Sequence, residues 1–346
     1  MLRSAIKETT GWFLRVCYFR LFPLRGSCIV LMCHRVLESR DITPWNQDIS
    51  VSRVTLSTLL RQLAGHFEAV DLHQWLDNPR PSRPAFAVTF DDGWRDNYTH
   101  ALPVLRNLRV PATVFVTVGL VGTSEQFWWD RIARVLREGR VADVATHFAQ
   151  GYGGHGPWPS DPVEVFRVLV DNLKALPQRR IDELVLAAEH AFGVQPETER
   201  VMLTWEELGE MGRAGVSVGS HGMSHAILVP LSDEAKWFEL SQSALILSQK
   251  RIPYVPIMCF PNGTYDQQSV DLSLACGYRA LVTAGANRIS TRRGLMVHRI
   301  GVNARTTTNA LFVRIFVENF RGRLLSAKKV LAQRVSDDSA LRARES

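Results

Sequence analysis

Three short stretches of this chain hold residues that could do chemistry together. Thr89-Phe90-Asp91-Asp92-Gly93 sets two carboxylates side by side where an apolar run stops. Adjacent carboxylates are costly unless a cation or hydrogen bonds hold them. Consecutive residues point in different directions, so one can bind a metal while the other faces a substrate. A plain Asp-Gly turn is the competing reading. Ser220-His221-Gly222-Met223-Ser224-His225 places two histidines four apart, a spacing that puts both on one side of a helical turn and within reach of one ion. Surface or helix-cap histidines are the alternative. With Asp92 as a third ligand, two neutral imidazoles and a carboxylate suit zinc or a similar divalent ion and leave positions open for water and substrate. Cys259-Phe260-Pro261-Asn262-Gly263-Thr264-Tyr265-Asp266 is a rigid turn. It can line a groove and aim a backbone N–H at a developing oxyanion, though by itself it is only a turn.

Each stretch follows an apolar run that reads as a buried strand. Ala85–Phe90 stops at Asp91, Val216–Gly219 precedes His221, and Pro256–Phe260 enters the third turn. Further strands are expected at Ser27–Cys33, Ala112–Val118, Arg279–Thr283 and Leu295–Val302. Helices are expected at Thr55–Leu63, Tyr98–Leu108, Asp233–Lys250 and Gln267–Cys276, and another is opened by Thr204, whose partner Glu207 completes a capping box. Between about residues 123 and 200 the pattern loosens into helix-like segments, Trp128–Arg137, Val163–Leu173 and Arg180–Phe192, with a loop at Gly151–Pro162. Repeated βα units with apolar strands imply an α/β parallel sheet or barrel, whose ligands gather at the C-terminal strand ends.

Together the three motifs resemble the polysaccharide deacetylases, the NodB homology domain of carbohydrate esterase family four. The resemblance covers roughly residues 27–302 and rests on TFDDG at 89–93, SHGMSH at 220–225 and FPNGTYD at 260–266, in the family's order. It implies a distorted (β/α) barrel with about seven parallel strands that removes N-acetyl or O-acetyl groups from sugars by metal-assisted hydrolysis. Asp92, His221 and His225 would then hold the metal, Zn²⁺ or else Co²⁺ or Ni²⁺. Asp91 would be the general base that takes a proton from the attacking water. Asn262 would offer a backbone N–H to the oxyanion, within a substrate-binding turn that includes Pro261, Gly263 and Tyr265.

Two departures stand out. The family's third motif often begins with an arginine that orients the catalytic aspartate; here Cys259 stands there, and Arg299 in Val297-His298-Arg299-Ile300 is the expected replacement. The general acid, a histidine near the C-terminal end in many members, is here either His34 or His298. His34, in Leu31-Met32-Cys33-His34-Arg35-Val36, resembles the N-terminal strand of biofilm poly-N-acetylglucosamine deacetylases, whose permuted order brings the acid histidine first. Trp94, Trp128 and Trp129 could stack on a sugar, core packing being the alternative.

The organisation expected is therefore an N-terminal segment 1–26, a barrel 27–302 with an insertion at about 123–200, and a tail 303–346. Five cysteines, an odd number without a CxxC pair, suit a reducing compartment. Arg15 and Arg20 interrupt the N-terminal apolar groups, so no signal sequence is expected. The longest runs free of Asp, Glu, Lys and Arg, Val110–Ser124 and Gly215–Ser232, are too short or too polar to span a bilayer. At helical spacing Leu2, Ile6, Trp12, Phe13, Val16 and Phe19 share a face that Arg3, Lys7 and Arg15 avoid. This reads either as packing on the domain or as a basic amphipathic helix on an anionic membrane. A cytoplasmic enzyme is expected, peripheral at the inner membrane, acting on an N-acetylated glycan or glycolipid of exopolysaccharide or lipopolysaccharide synthesis. An O-acetyl esterase, a deformylase of a lipid-linked sugar and a glycan-binding barrel without catalysis are the alternatives. The net charge of +7 comes without any nucleic-acid motif, and no nucleic-acid partner is expected.

Overall fold

The structure is a computed structural model that describes residues 2–18, 24, 27–77, 84–195, 197–284, 290–291 and 296–318. Its strands are β1 (Ser27–Cys33), β2 (Arg35–Leu37), β3 (Ser50–Ser52), β4 (Glu68–Ala69), β5 (Ala85–Phe90), β6 (Ala112–Val116), β7 (Val216–Ser220), β8 (Tyr254–Cys259), β9 (Ala280–Thr283), β10 (Ser290–Thr291), β11 (Met296–His298) and β12 (Ile300–Gly301). The main sheet runs β10-β1-β5-β6-β7-β8-β9-β11, eight strands of which only the short β10 is antiparallel. Its ends nearly meet, because β12 follows β11 after the single residue Arg299 and pairs in parallel with β1. The result is an α/β barrel with seven parallel staves.

Why these strands point their chemistry inward follows from side-chain alternation. On β1 and β5, Ile29, Leu31, Phe86, Val88 and Phe90 pack outward with Leu56, Leu60 and Leu105 of the covering helices. Cys28, Val30, Ala85 and Ala87 point into the barrel with Phe115, Ile257, Cys259, Val282 and Val297. The interior is narrow: a Cβ on Gly219 would lie 2.6 Å from the Phe115 ring. Continuing the inward parity past each strand end reaches His34, Asp91, His221 and Arg299. Four of the expected site residues thus share the barrel mouth because they share one parity.

Residues 123–200 leave the barrel and return together, Gly122 N–H donating to Leu203 O at 2.8 Å. They contain four helices, Trp128–Glu138, Val141–Tyr152, Pro162–Leu173 and Gln178–Phe192, around their own apolar cluster of Ile132, Val135, Phe148, Leu169 and Val185. Val141–Tyr152 is not among the expected helices, since its buried stripe relies on Ala145 and Ala149, a weak hydrophobic signal. The capping box at Thr204 is present in both directions, at 2.9 and 3.1 Å. The N-terminal segment is helical over Leu2–Phe13 and continues as one π-turn, Leu14–Tyr18. The basic stretch Arg321–Arg334 lies outside the described residues. No described helix is long and apolar enough to cross a membrane.

Candidate metal and catalytic site

Asp91 and Asp92 both reach the barrel mouth because Asp92 leaves the strand conformation, with φ of 75°. Asp92 Oδ1 stands 3.4 Å from Nε2 of His221 and 3.4 Å from Nε2 of His225. All three residues offer ligand atoms within 4.8 Å of one another. His221 Nδ1 is 2.7 Å from the Cys259 carbonyl, which can only accept, so Nδ1 carries the proton and Nε2 keeps its lone pair for an ion. The indole N–H of Trp94 donates to Asp92 Oδ2 at 2.9 Å. Burial opposes ionisation of Asp92, yet the adjacent imidazoles of His221 and His225 hold its carboxyl well below the usual range. A second grouping, Asp91–His221–Cys259, is a poorer ion site. Burial pushes the Cys259 thiol up, and Asp91 is already engaged.

That engagement is a buried, two-pronged charge pair. Arg299 grips both oxygens of Asp91, at 2.6 and 2.7 Å, and also donates to Thr89 Oγ1, the Thr283 carbonyl and Cys259 Sγ. Burial would raise the Asp91 pKa, but Arg299, with smaller help from His221 and His34, lowers it. Arg299 thus meets Asp91 beside Cys259, the first residue of the third motif. His34 Nε2 lies 3.8 Å from Asp91 Oδ2, its side chain 21% exposed, so it touches both the carboxylate and the open mouth. His298 has the opposite strand parity to Arg299 and points away from the barrel interior.

The third motif forms the expected turn. Asn262 adopts φ of 56° and lines a small cleft with His225, Trp128 and Trp129. Gly263 must be glycine, since a Cβ would meet the Ala284 backbone at 2.4 Å. Pro261 is buried, while Tyr265 stacks on Phe260 at 5.4 Å and is otherwise exposed.

Three expectations need correcting. Trp94 is 1% exposed and orients Asp92, so it is no sugar platform. Trp128 is buried in the core of the insertion. Trp129, by contrast, is half-buried and lines the cleft at Asn262, packed edge-on against His225 at 4.9 Å. The segment 221–225 is not a helical turn either. Gly222 and His225 have φ of 81° and 64°, and the loop is held from outside by Glu239. This buried carboxylate accepts the N–H groups of Met223 and Ser224 and the Ser224 hydroxyl, at 2.8, 3.0 and 2.6 Å. Nothing in the sequence marks Glu239, which sits on the helix Asp233–Gln249, far from any motif. Glu239→Ala leaves three donors without their acceptor and frees the loop between the two histidines. Zinc affinity, read by competition with a chromogenic chelator, should fall about 10–100-fold, and unchanged affinity would remove Glu239 from this role.

A polysaccharide deacetylase family model matches residues 78–150 and 176–281, just over half of the chain. A polysaccharide deacetylase of Bacillus subtilis (strain 168), YxkH, is 21% identical over 225 residues, 65% of this chain and 53% of its own length. The chain thus spans about half the length of that curated relative. Among solved structures, the Streptococcus pyogenes deacetylase PplD, in complex with acetate, aligns with a TM-score of 0.55 at 16% identity, over 84% of this chain and 98% of its own. IcaB from Ammonifex degensii aligns with a TM-score of 0.53 at 18% identity, over 85% and 97%. At these identities the structural likeness is one of fold.

Proposed function

The chain belongs to the polysaccharide deacetylase family, hydrolases that act on amide bonds, and from that premise we propose that it is a metal-dependent de-N-acetylase of N-acetylhexosamine units in a glycan or glycolipid precursor. The observation that carries this reading is the convergence of two sets at one barrel mouth: Asp92 with His221 and His225, and Asp91 with Arg299 and His34.

The donor set fits a divalent ion of the zinc type, because the tautomer of His221 is already fixed with Nε2 free to bind. Such an ion supplies Lewis acidity to the acetyl carbonyl and acidifies the attacking water. Asp91 takes the water's proton; Arg299 holds its two oxygens in place while each keeps a lone pair for that proton. The acyl C–N bond breaks, and His34 gives a proton to the departing amine. The left-handed turn at Asn262 offers a backbone N–H to the developing oxyanion. Products are acetate and a free amino sugar.

The insertion supports a glycan of more than one residue. A cavity of about 630 Å³ lies between its helices and the outer side of the loop 221–225, bounded by Trp128, Arg131, Gln178, Ser224 and Phe238, a size usual for ligand sites. Free cysteines throughout the described chain suit a cytoplasmic setting, at the membrane face where exopolysaccharide or lipopolysaccharide precursors are built.

Acetate release across monomeric, oligomeric and lipid-linked N-acetylhexosamines tests this. Chelator treatment should lower the rate at least about 100-fold, and Zn²⁺, Co²⁺ or Ni²⁺ should restore it. Release indifferent to chelation, release from O-acetyl esters alone, or glycan retention without hydrolysis would each overturn the reading.

A further inference from the structure

His34 is the one residue between β1 and β2, and the chain changes sheet there. Up to Cys33 the backbone belongs to the barrel: Cys33 pairs with Phe90, and its carbonyl accepts the Asp91 N–H at 2.9 Å. From Arg35 onward it pairs instead with β3. A residue at such a junction has no ladder partner of its own. Its ring contact does not hold it either, since the 3.8 Å from Nε2 to Asp91 Oδ2 is too long for a hydrogen bond.

What holds the junction is a pair of side chains four and five residues beyond Asp92. Asn97 is fully buried, and its amide donates to the His34 carbonyl at 2.8 Å. Asp96 is buried beside it. Its Oδ1 accepts the Val36 N–H at 2.8 Å and the Asn97 amide at 3.2 Å, and its Oδ2 accepts from Arg35 Nε at 2.9 Å. Asp96 and Asn97 thus bond to residues 34, 35 and 36 in turn, and to each other. Arg35 also lays its guanidinium over the Trp94 ring, 4.3 Å from the ring centre, and Trp94 is the donor to Asp92. The segment 94–97 thereby fastens both halves of the site, Asp92 through Trp94 and the His34 backbone through Asp96 and Asn97.

We propose that Asp96, assisted by Asn97, is the positioning residue of the general acid. It fixes the backbone at His34 so that the imidazole stands where it gives its proton to the amine nitrogen as the C–N bond breaks. This goes one step beyond the reading of His34 as that acid, on which it rests. The competing role is a structural clasp for the small sheet β2–β3. Misplacing a reacting group by about 1 Å costs about 10²-fold, and that loss depends on the group being there to misplace.

The test is therefore a double-mutant cycle between Asp96 and His34, read as kcat/KM for acetamide hydrolysis by the Zn²⁺-loaded full chain where circular dichroism shows each protein folded. Asp96→Ala should lower kcat/KM about 10–100-fold, mostly through kcat, with Zn²⁺ content at the wild-type level. His34→Ala should lower it about 10²–10⁴-fold. In the His34→Ala background, Asp96→Ala should cost less than about threefold more, because the group it positions is gone. Asp96→Asn keeps one acceptor for the Val36 N–H or Arg35; it should lose about tenfold with the same coupling, and it decides the matter if Asp96→Ala does not fold. Losses that multiply would overturn the proposal and leave Asp96 a structural clasp. So would loss of Zn²⁺, or a folded Asp96 variant within about threefold of wild type. A His34→Ala protein within about threefold of wild type would overturn the assignment of the acid itself, and the proposal with it.

Discussion

Asp91→Asn should lower kcat/KM for acetamide hydrolysis by about 10³-fold while the metal content stays at the wild-type level. General-base catalysis contributes about 10²–10⁴-fold, and this substitution removes the basic oxygen without touching Asp92, His221 or His225. Shape is conserved, so substrate access is unaltered. The amide NH₂ now faces an Arg299 nitrogen 2.7 Å from the replaced oxygen, and two donors repel there. Some stability is lost as a result, and the kinetics belong at a temperature where circular dichroism shows both proteins folded. Metal analysis separates the two carboxylates. An Asp92→Asn protein should lose metal and activity together, whereas Asp91→Asn should lose activity alone. Activity within about threefold of wild type would remove Asp91 from catalysis.

Arg299→Met should be the most damaging single change for stability, at about 3–5 kcal/mol, the range for stranding a buried charge. Arg299 is 3% exposed and Asp91 2% exposed, so no water replaces the lost partner. The pH dependence carries a definite sign. In the wild type Asp91 titrates below its unfolded value, so the pair stabilises the fold above roughly pH 4 and that contribution fades as pH falls through the native pKa. Without Arg299, burial dominates and the native pKa of Asp91 rises above the unfolded value. The variant is then relatively better off in acid and loses stability as pH climbs past about 4. The gap between the two proteins therefore widens toward neutral pH, which denaturant melts at several pH values would show. Asp91→Leu combined with Arg299→Met should recover most of the loss, because no buried charge remains. A double variant as unstable as Arg299→Met alone would show that Arg299 matters to the fold through other contacts. Activity should fall at least about 100-fold in Arg299→Met, since the base loses its orientation and a neutral carboxyl cannot accept a proton.

The candidate site was legible where chemistry-bearing residues adjoin apolar runs. Asp91 and Asp92 end one run, His221 follows another, and the Pro261–Gly263 turn follows a third. Those runs are buried on both faces, so their position and length survive as a pattern in the chain. Alternation then carries the reading one step further, because inward parity continues from Ala85, Ala87 and Thr89 to Asp91, and from Cys28 and Val30 to His34. Arg299 was legible only through family resemblance. Its own strand is two short pieces either side of it, too brief to announce themselves.

Other features have no local signature because they depend on what stands across a gap. Trp94 reads equally as a sugar platform or as core, and only packing shows its indole N–H on Asp92. Glu239 clamps Met223 and Ser224, which lie 16 and 15 residues before it in the chain, with no spacing rule to link them. The loop 221–225 keeps the i, i+4 histidines of a helical pair while its backbone is irregular, because Glu239 takes the N–H groups that a helix would use internally. The docking of the N-terminal helix is of the same kind, since 299 and 301 residues separate Glu8 from its partners Thr307 and Asn309. By itself the sequence determined which residues sit at strand ends and which way they point, because period and burial are local properties of a chain. Which of them meet, and what holds them there, the tertiary structure alone decided, through barrel closure at residues 296–301 and contacts between residues far apart in the chain.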